Sequence, residues 1–281
     1  MVHNNKPLTL SIIIPAYNEE IHIERCLDSI ARQTEAPDEV IVVDNNSTDA
    51  TAKLARRYKF VTVVTESTQG IYYARNRGFN SSTSEIIARI DADTTLPETW
   101  VEQIKQFYAD GKNQSSAITG SGYFSNMIFP PASVNGAVLS LIAFRFNPII
   151  MGHYIVWGSN MAILRTQWQA VKKEVCPNNN IHEDLDLAIH LHRNNIKIVY
   201  DPSLRVGVIM RRVMNNWKSL WANLMLWPET LKVHGNERWI FGLIGAYMLL
   251  PASLIVIVLN SPWIFIRDKV LIWFRFQKVT E

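Results

Sequence analysis

Cysteine is scarce: Cys26 and Cys176 are the two in 281 residues, far apart and without ligand-like spacing. That scarcity argues against a disulfide framework and against a zinc site, and it fits a reducing, cytosol-facing domain. Excess charge is also small. A formal net charge of +3 and the absence of a long basic run give no case for nucleic acid as a partner. The first residues lack a basic segment followed by a long apolar core. The first apolar run, Leu8 to Ile14, stops at Pro15 and therefore reads as a core strand rather than a leader. No internal repeat or low-complexity stretch is evident. The length suits one large α/β domain with appendages, or two small domains.

What the chain does have is an apolar run that ends in two carboxylates. Residues 86 to 94 read Ile-Ile-Ala-Arg-Ile-Asp-Ala-Asp-Thr, placing Asp91 and Asp93 at the end of a predicted buried strand. In extended backbone, side chains at i and i+2 share a face, so the two anions need a cation or a set of donors to offset their repulsion. Magnesium or manganese, held jointly with phosphate oxygens, is the ion whose hardness fits such ligands. A solvated turn is the plainer alternative.

Strand-like runs at Leu8–Pro15, Glu39–Asp44, Phe60–Val64, Glu85–Asp91 and Ala117–Gly120 alternate with helix-like stretches at Glu19–Gln33, Thr48–Tyr58, Ile71–Phe79 and Thr99–Ala109. This alternation predicts a mostly parallel sheet flanked by helices. Three strand ends then share one edge. The first runs into Pro15-Ala-Tyr17-Asn18-Glu19, with an aromatic to stack on a base and a carboxylate for ribose or base. The second ends in Asp44-Asn45-Asn46-Ser47-Thr48-Asp49, and the third in Asp91 and Asp93. At consecutive strand ends of a parallel sheet these read together as a nucleotide-diphosphate site.

The same residues carry a resemblance. Ser11 to Glu19, Val43 to Asp49, Ala74-Arg75-Asn76-Arg77-Gly78, Asp91-Ala92-Asp93, Gly158-Ser159-Asn160 and Glu183-Asp184 resemble, in order, the motifs of glycosyltransferase family 2. Those are inverting enzymes of the GT-A fold, a Rossmann-like α/β architecture. The resemblance covers residues 9 to about 200. It implies that Pro15, Tyr17 and Glu19 border the nucleoside and that Asp44, with Asn46 beside it, holds base or ribose. It further implies that Arg75 lies by base or phosphate, that Asp91 approaches ribose and metal, and that Asp93 is the principal ligand of Mg²⁺ or Mn²⁺. From the residues alone, Arg75 and Arg77 also read as solvated helix charges, although a cation near a helix start is mildly unfavourable without an anionic partner.

A second acidic element opens the predicted helix around Leu185, Ala188, Ile189 and His192, with Glu183 and Asp184 in its first turn. Acidic residues are common there for dipole reasons alone. In the family resembled, the Asp of this pair takes the proton from the acceptor hydroxyl, so Asp184 is the implied base, with Glu183 positioning the acceptor or supporting that carboxylate. His182, His190 and His192 read as structural, given the hard-metal chemistry already assigned. The donor implied is a UDP- or GDP-sugar, and the acceptor a saccharide or lipid-linked hydroxyl, with a polyprenyl phosphate as the alternative. The Gln-x-x-Arg-Trp motif of processive members has no counterpart at Met210-Arg211-Arg212-Val213, so transfer of one sugar is expected.

Hydrophobicity accumulates late in the chain. Trp239 to Leu259 holds no charged residue and, at roughly 20 residues, is long enough to span a bilayer as a helix or to form a re-entrant hairpin. Six of the nine tryptophans lie between residues 217 and 273, and Trp217, Leu220, Trp221, Leu224 and Met225 recur at helical spacing, as in a helix lying on a membrane surface. The expected organisation is a catalytic domain over residues 1–205 (donor half about 8–120, acceptor half about 121–205), an amphipathic interfacial region over 206–238, and a hydrophobic segment with a basic tail over 239–281. Residues 123–157 form an apolar insertion, fit either to line a lipid-acceptor groove or to pack on the membrane. The expected setting is the cell membrane, with the domain facing the cytoplasm and envelope glycan or glycolipid synthesis as its role. Two rivals remain. Asp91-Ala-Asp93-Thr94-Thr95 also fits a haloacid-dehalogenase phosphatase signature, which leaves the Pro15–Glu19 and Asp44 motifs unexplained; a catalytically silent, membrane-bound sugar-nucleotide binder is the other.

Overall fold

The computed structural model describes residues 8–127, 129–209, 217–245, 247, 254–255 and 258–260. Its centre is one seven-stranded sheet in the order β3-β2-β1-β4-β6-β5-β7. The strands are β1 (Leu10–Ala16), β2 (Glu39–Asp44), β3 (Val61–Thr65), β4 (Ile86–Arg89), β5 (Ser116–Phe124), β6 (Met161–Leu164) and β7 (Lys197–Val208). β1 pairs in parallel with β2 and β4, β2 with β3, and β5 with β7; β6 runs antiparallel to both β4 and β5. The mostly parallel α/β sheet expected from the sequence is therefore present, with one reversed strand.

β1 explains the topology. Each of its seven residues, Leu-Ser-Ile-Ile-Ile-Pro-Ala, is buried, as a central parallel strand covered on both faces requires. Ile12 and Ile14 face one core with Leu27 of α1 (Ile23–Ala31) and Trp100 and Ile104 of α4 (Trp100–Ala109). Ile13 faces the other, with Phe79 of α3 (Ile71–Ser81), Trp168 of α7 (Arg165–Val171) and Leu185 of α8 (Glu183–Arg193). α2 (Thr51–Ala55) closes the β2–β3 crossover. The chain winds outward from β1 to β3, then crosses back to β4 on the other side of β1. The order thus reverses between β1 and β4, where open α/β sheets form their ligand crevice.

Between β5 and β6 the apolar insertion is helical: α5 (Ala132–Leu141), a π-turn (Ile142–Phe146) and α6 (Asn147–Met151). Together Ala132–Met151 is the one helix among the described residues long and apolar enough to cross a membrane, by length and composition. Val134, Val138, Leu141, Phe146 and Ile149 project outward, Ile149 at 72% exposure. α9 (Trp217–Val233) is docked on the domain: Leu220 and Leu231 are buried, and Thr230 Oγ1 accepts from the His182 backbone N–H at 2.7 Å. Most of the 239–281 segment lies outside the described residues. Within it, 239–245 is helical, with Ile240, Phe241 and Ile244 exposed.

Candidate active site

Two loops build one side of the crevice by bonding to each other. The Asn18 backbone N–H donates to Ser47 Oγ, Asn18 Oδ1 accepts from the Thr48 N–H at 2.8 Å, and Glu19 N–H donates to Thr51 Oγ1 at 2.7 Å. Asn18 and Asn46 take positive φ (54° and 62°), a conformation asparagine tolerates better than most residues. Asn45 is buried and holds the segment before α3, donating to the carbonyls of Glu66 and Thr68 and accepting from the Gly70 N–H. Asn46 donates to Ser67 O. The Asp44-Asn45-Asn46 run thus shapes the crevice, and of the three Asn45 lines it.

The cleft between these loops has a volume of about 660 Å³, within the range of small-molecule sites. Pro15, Tyr17, Glu19, Asp91 and Asp93 line it, with Trp157 and Ser159 opposite and Phe124, Leu139 and Val208 as an apolar wall. Tyr17 is half exposed, leaving a ring face for stacking. Burial, then Asp93, Asp91 and Glu19 in that order, push the buried Cys26 thiol well above its ordinary value. Asp44, Asn46, Arg75, Glu183 and Asp184 are not part of the lining. Asp44 sits at the end of β2, its Oδ1 3.3 Å from the Ser47 N–H, and Asn46 is exposed.

The carboxylate pair departs from the expected geometry. β4 ends at Arg89, and Asp91 to Thr94 form a turn closed by Thr94 N–H to Asp91 O at 3.0 Å, so the extended-strand argument for Asp91 and Asp93 does not apply. The charge opposite Asp91 is protein-borne. Arg89 Nη2 donates to Asp91 Oδ1 at 3.1 Å, and Ser159 Oγ donates to Asp91 Oδ2 at 2.5 Å.

Arg89, which the sequence reading passed over inside its apolar run, organises the centre. Its side chain is 2% exposed; Nη1 donates to Asp184 Oδ1 at 2.6 Å and Nη2 to Glu183 Oε1 at 3.1 Å as well as to Asp91. One guanidinium therefore ties the cleft to the first turn of α8. Burial works to lower its pKa, but Asp184, Asp91 and Glu183 outweigh burial and hold it above the ordinary value. Arg75 is also fully buried. Its Nη1 donates to the Glu183 carbonyl at 2.7 Å and its guanidinium lies 5.2 Å from the Tyr72 ring centroid, while Nη2 has no hydrogen-bond partner. It braces α8 from behind rather than lining the cleft.

Asp184 is buried and gripped on both oxygens, Oδ1 by Arg89 and Oδ2 by the Gly158 N–H at 2.8 Å. A Cβ on Gly158 would meet Arg89 Cζ at 2.5 Å and Asp184 Oδ1 at 2.6 Å, so only glycine admits this approach. Ser159 meets Asp91. Asn160, fully buried, accepts from Trp100 Nε1 and donates to the carbonyls of Ser121 and Leu204, pinning β5 to β7. The Gly158-Ser159-Asn160 triplet is thereby explained residue by residue. Glu183 and Asp184 titrate in opposite directions. Burial raises Glu183, yet Arg89, His182 and Arg75 overcome it and hold the carboxyl down at about 2. For Asp184 burial prevails over Arg89, with help from the like charges of Glu183 and Asp91, and its pKa is raised. A raised carboxylate is the better proton acceptor.

Two guanidiniums, Arg75 and Arg89, face three carboxylates, Asp91, Glu183 and Asp184, and Asp93 adds a fourth at the cleft. Carboxylate oxygens at the cleft, those of Asp91 and Asp93, are hard donors of the type that could hold a divalent cation. A different group of possible ligands, Cys176, Asp186, His190 and His234, converges away from these residues.

Residues 11–139 match the family described as Glycosyl transferase family 2. Among curated proteins, glycosyltransferase AglE of Haloferax volcanii is 37% identical over 101 residues, 34% of this chain and 33% of that protein. The 4,4'-diaponeurosporenoate glycosyltransferase of Staphylococcus aureus is 42% identical over 98 residues, 33% of this chain and 25% of that protein. The chain thus spans a third or less of the length of these relatives. The fold is shared with a mannosyltransferase from Pyrobaculum calidifontis solved with GDP-Man and Mn²⁺, at TM-score 0.64 and 17% identity over 91% of this chain and 74% of that one. It is shared also with glucosyl-3-phosphoglycerate synthase from Mycobacterium tuberculosis, solved with Mn²⁺, UDP and phosphoglyceric acid, at TM-score 0.57 and 19% identity over 79% and 78%.

Proposed function

We propose that this chain, which carries a glycosyltransferase family 2 domain, moves one sugar from a nucleoside-diphosphate sugar to an acceptor hydroxyl with inversion. The observation that carries the reading is the clasp of Arg89, which joins Asp91 of the cleft to Glu183 and Asp184 at the start of α8. Nucleotide and base sites are useful only if held in register, and one buried guanidinium supplies that register. Tyr17 stacks on the base, Glu19 and Asp44 take base or ribose, and Asp91 and Asp93 face the diphosphate. Mg²⁺ or Mn²⁺ on Asp93, with Asp91 nearby, supplies charge neutralisation for the departing diphosphate. Asp184 accepts the acceptor's proton as its oxygen bonds to the anomeric carbon and the bond to the diphosphate breaks on the opposite side. Arg75 and Arg89 hold Glu183 and Asp184 in place.

The acceptor is proposed to be lipid-linked, because Leu139 of α5 lines the cleft while other side chains of Ala132–Met151 face outward. This reading sets the domain on the cytoplasmic face of a membrane, in glycolipid or envelope-glycan synthesis. A polyprenyl phosphate acceptor is the alternative favoured by the same wall. A phosphate oxygen needs no base, so Asp184 would then be dispensable. Incubating membrane extracts with a panel of UDP- and GDP-sugars and following lipids by mass spectrometry tests the function; a lipid gaining one hexose-sized unit is the expected product, and its absence across the panel favours the silent binder.

Asp93→Ala is expected to abolish metal-dependent nucleotide binding and turnover, because Asp91 already answers Arg89 and Ser159. Chelated wild-type protein should regain activity with Mn²⁺ or Mg²⁺; full activity in chelator would overturn the metal assignment. Removing residues 239–281 is expected to release much of the protein from membranes, read by sedimentation. Undiminished sedimentation would move the anchor to Ala132–Met151.

A further inference from the structure

Away from the cleft, four side chains from three parts of the chain meet. Cys176 follows α7, Asp186 and His190 lie one turn apart on α8, and His234 stands just past α9. Their ligand atoms all lie within 4.8 Å of one another. His234 Nε2 is 2.9 Å from Asp186 Oδ1 and 4.0 Å from Cys176 Sγ, and His190 Nε2 is 3.4 Å from the same Asp186 oxygen. Asp186 is fully buried and the two imidazoles nearly so, at 8% and 4% side-chain exposure. Neither ring nitrogen of His190 makes a hydrogen bond. Its two carboxylate contacts, Asp186 at Nε2 and Glu174 at Nδ1, are long at 3.4 Å and off hydrogen-bond geometry, so this buried imidazole is poorly satisfied beside a carboxylate, a thiol and a second imidazole.

We propose that Cys176 Sγ, Asp186 Oδ1, His190 Nε2 and His234 Nε2 bind a Zn²⁺-class cation in a closed tetrahedral site. Sulfur and imidazole donors select zinc over the hard cation assigned to Asp93. Metal–ligand distances of about 2.0–2.3 Å imply ligand–ligand edges of about 3.3–3.7 Å, which the separations above bracket. The supporting contacts are also those of a metal centre. Asp186 Oδ2 accepts from the Cys176 N–H at 3.1 Å. Glu174 Oε2 lies 3.4 Å from His190 Nδ1 and is itself fixed by Asn194 Nδ2 at 2.8 Å, leaving Nε2 for the ion. Arg193 Nη1 donates to His234 Nδ1 at 3.3 Å; ligation through Nε2 moves the ring proton to Nδ1 and gives up that bond, while Arg193 keeps its bond to the His234 carbonyl at 2.9 Å. The ion staples α9 to α8, whose first turn carries Glu183 and Asp184. Such a site leaves no spacing signature in the sequence, because its ligands are drawn from separate elements.

The test is titration of the purified, chelator-stripped full chain with Co²⁺ in saturating Mg²⁺, read by absorption. One equivalent should produce the visible bands of tetrahedral cobalt and a near-ultraviolet thiolate-to-cobalt band, both erased by one equivalent of Zn²⁺. Cys176→Ser should remove the thiolate band. Glu174→Gln, at an exposed carboxylate and so safe for folding, should weaken Co²⁺ binding by about 10–100-fold. No thiolate band in the wild type, or one that survives Cys176→Ser, overturns the proposal, as does unchanged affinity in Glu174→Gln.

Discussion

Asp184→Asn should lower the rate of sugar transfer by about 10²–10⁴, the usual contribution of a general base. The amide keeps the shape of the carboxylate and its oxygen can still accept from Arg89, while the NH2 gives up the bond that Asp184 Oδ2 accepts from the Gly158 N–H, so thermal unfolding is measured beside the rates. What it loses is proton affinity, the property that burial enhances in Asp184. Nucleotide binding should change little, because the cleft is lined by Pro15, Tyr17, Glu19, Asp91 and Asp93 and not by Asp184. Calorimetry with UDP or GDP beside transfer rates on the same preparation separates the two effects. Transfer within about threefold of wild type removes Asp184 as base and favours a phosphate acceptor; loss of binding together with transfer assigns it a structural role. Asp186, the residue two further along α8, is no substitute, since its carboxylate is fully buried against His234 and the Cys176 N–H.

Much of this arrangement is written locally in the chain. Strand β1 announces itself through an unbroken apolar run, and Asn18 and Asn46 mark turns through their tolerance of positive φ. Strand alternation is enough to place β1, β2 and β4 with their ends on one edge. β6 and β7 escape detection for different reasons: β6 has four residues, and β7 carries Asp201 and Pro202 where its pairing with β5 shifts register. Arg75 and Arg89 are harder. Whether an arginine meets a phosphate or a carboxylate depends on side chains about a hundred positions away, and their partner Glu183 lies 108 and 94 residues on. Yet a charged residue between Ala88 and Ile90 of a buried strand is itself a signal, because an unpaired cation there would be prohibitively costly. It demands carboxylates, and the motifs already supplied three.

Arg89→Met should destabilise the protein by about 3–5 kcal/mol, the cost of removing one partner from a buried ionic cluster. Methionine fills much of the volume but leaves Asp184, Glu183 and Asp91 without their shared cation, and Arg75 bonds the Glu183 backbone rather than its carboxylate. The pH dependence has a definite sign. Glu183 is held at about 2 against an ordinary value of 4.5, so its contribution is present above the higher value and is lost as pH falls through that window. In the variant, Glu183 and Asp184 both gain protons more readily, which relieves repulsion in acid. The stability gap between wild type and Arg89→Met should therefore be widest near neutrality and narrow as the medium is acidified below about pH 4.5. Denaturant titrations at neutral pH and at about pH 4 measure it. A loss under about 1 kcal/mol, or a gap that widens in acid, would show that Arg89 is not the charge that holds the donor cleft and α8 together.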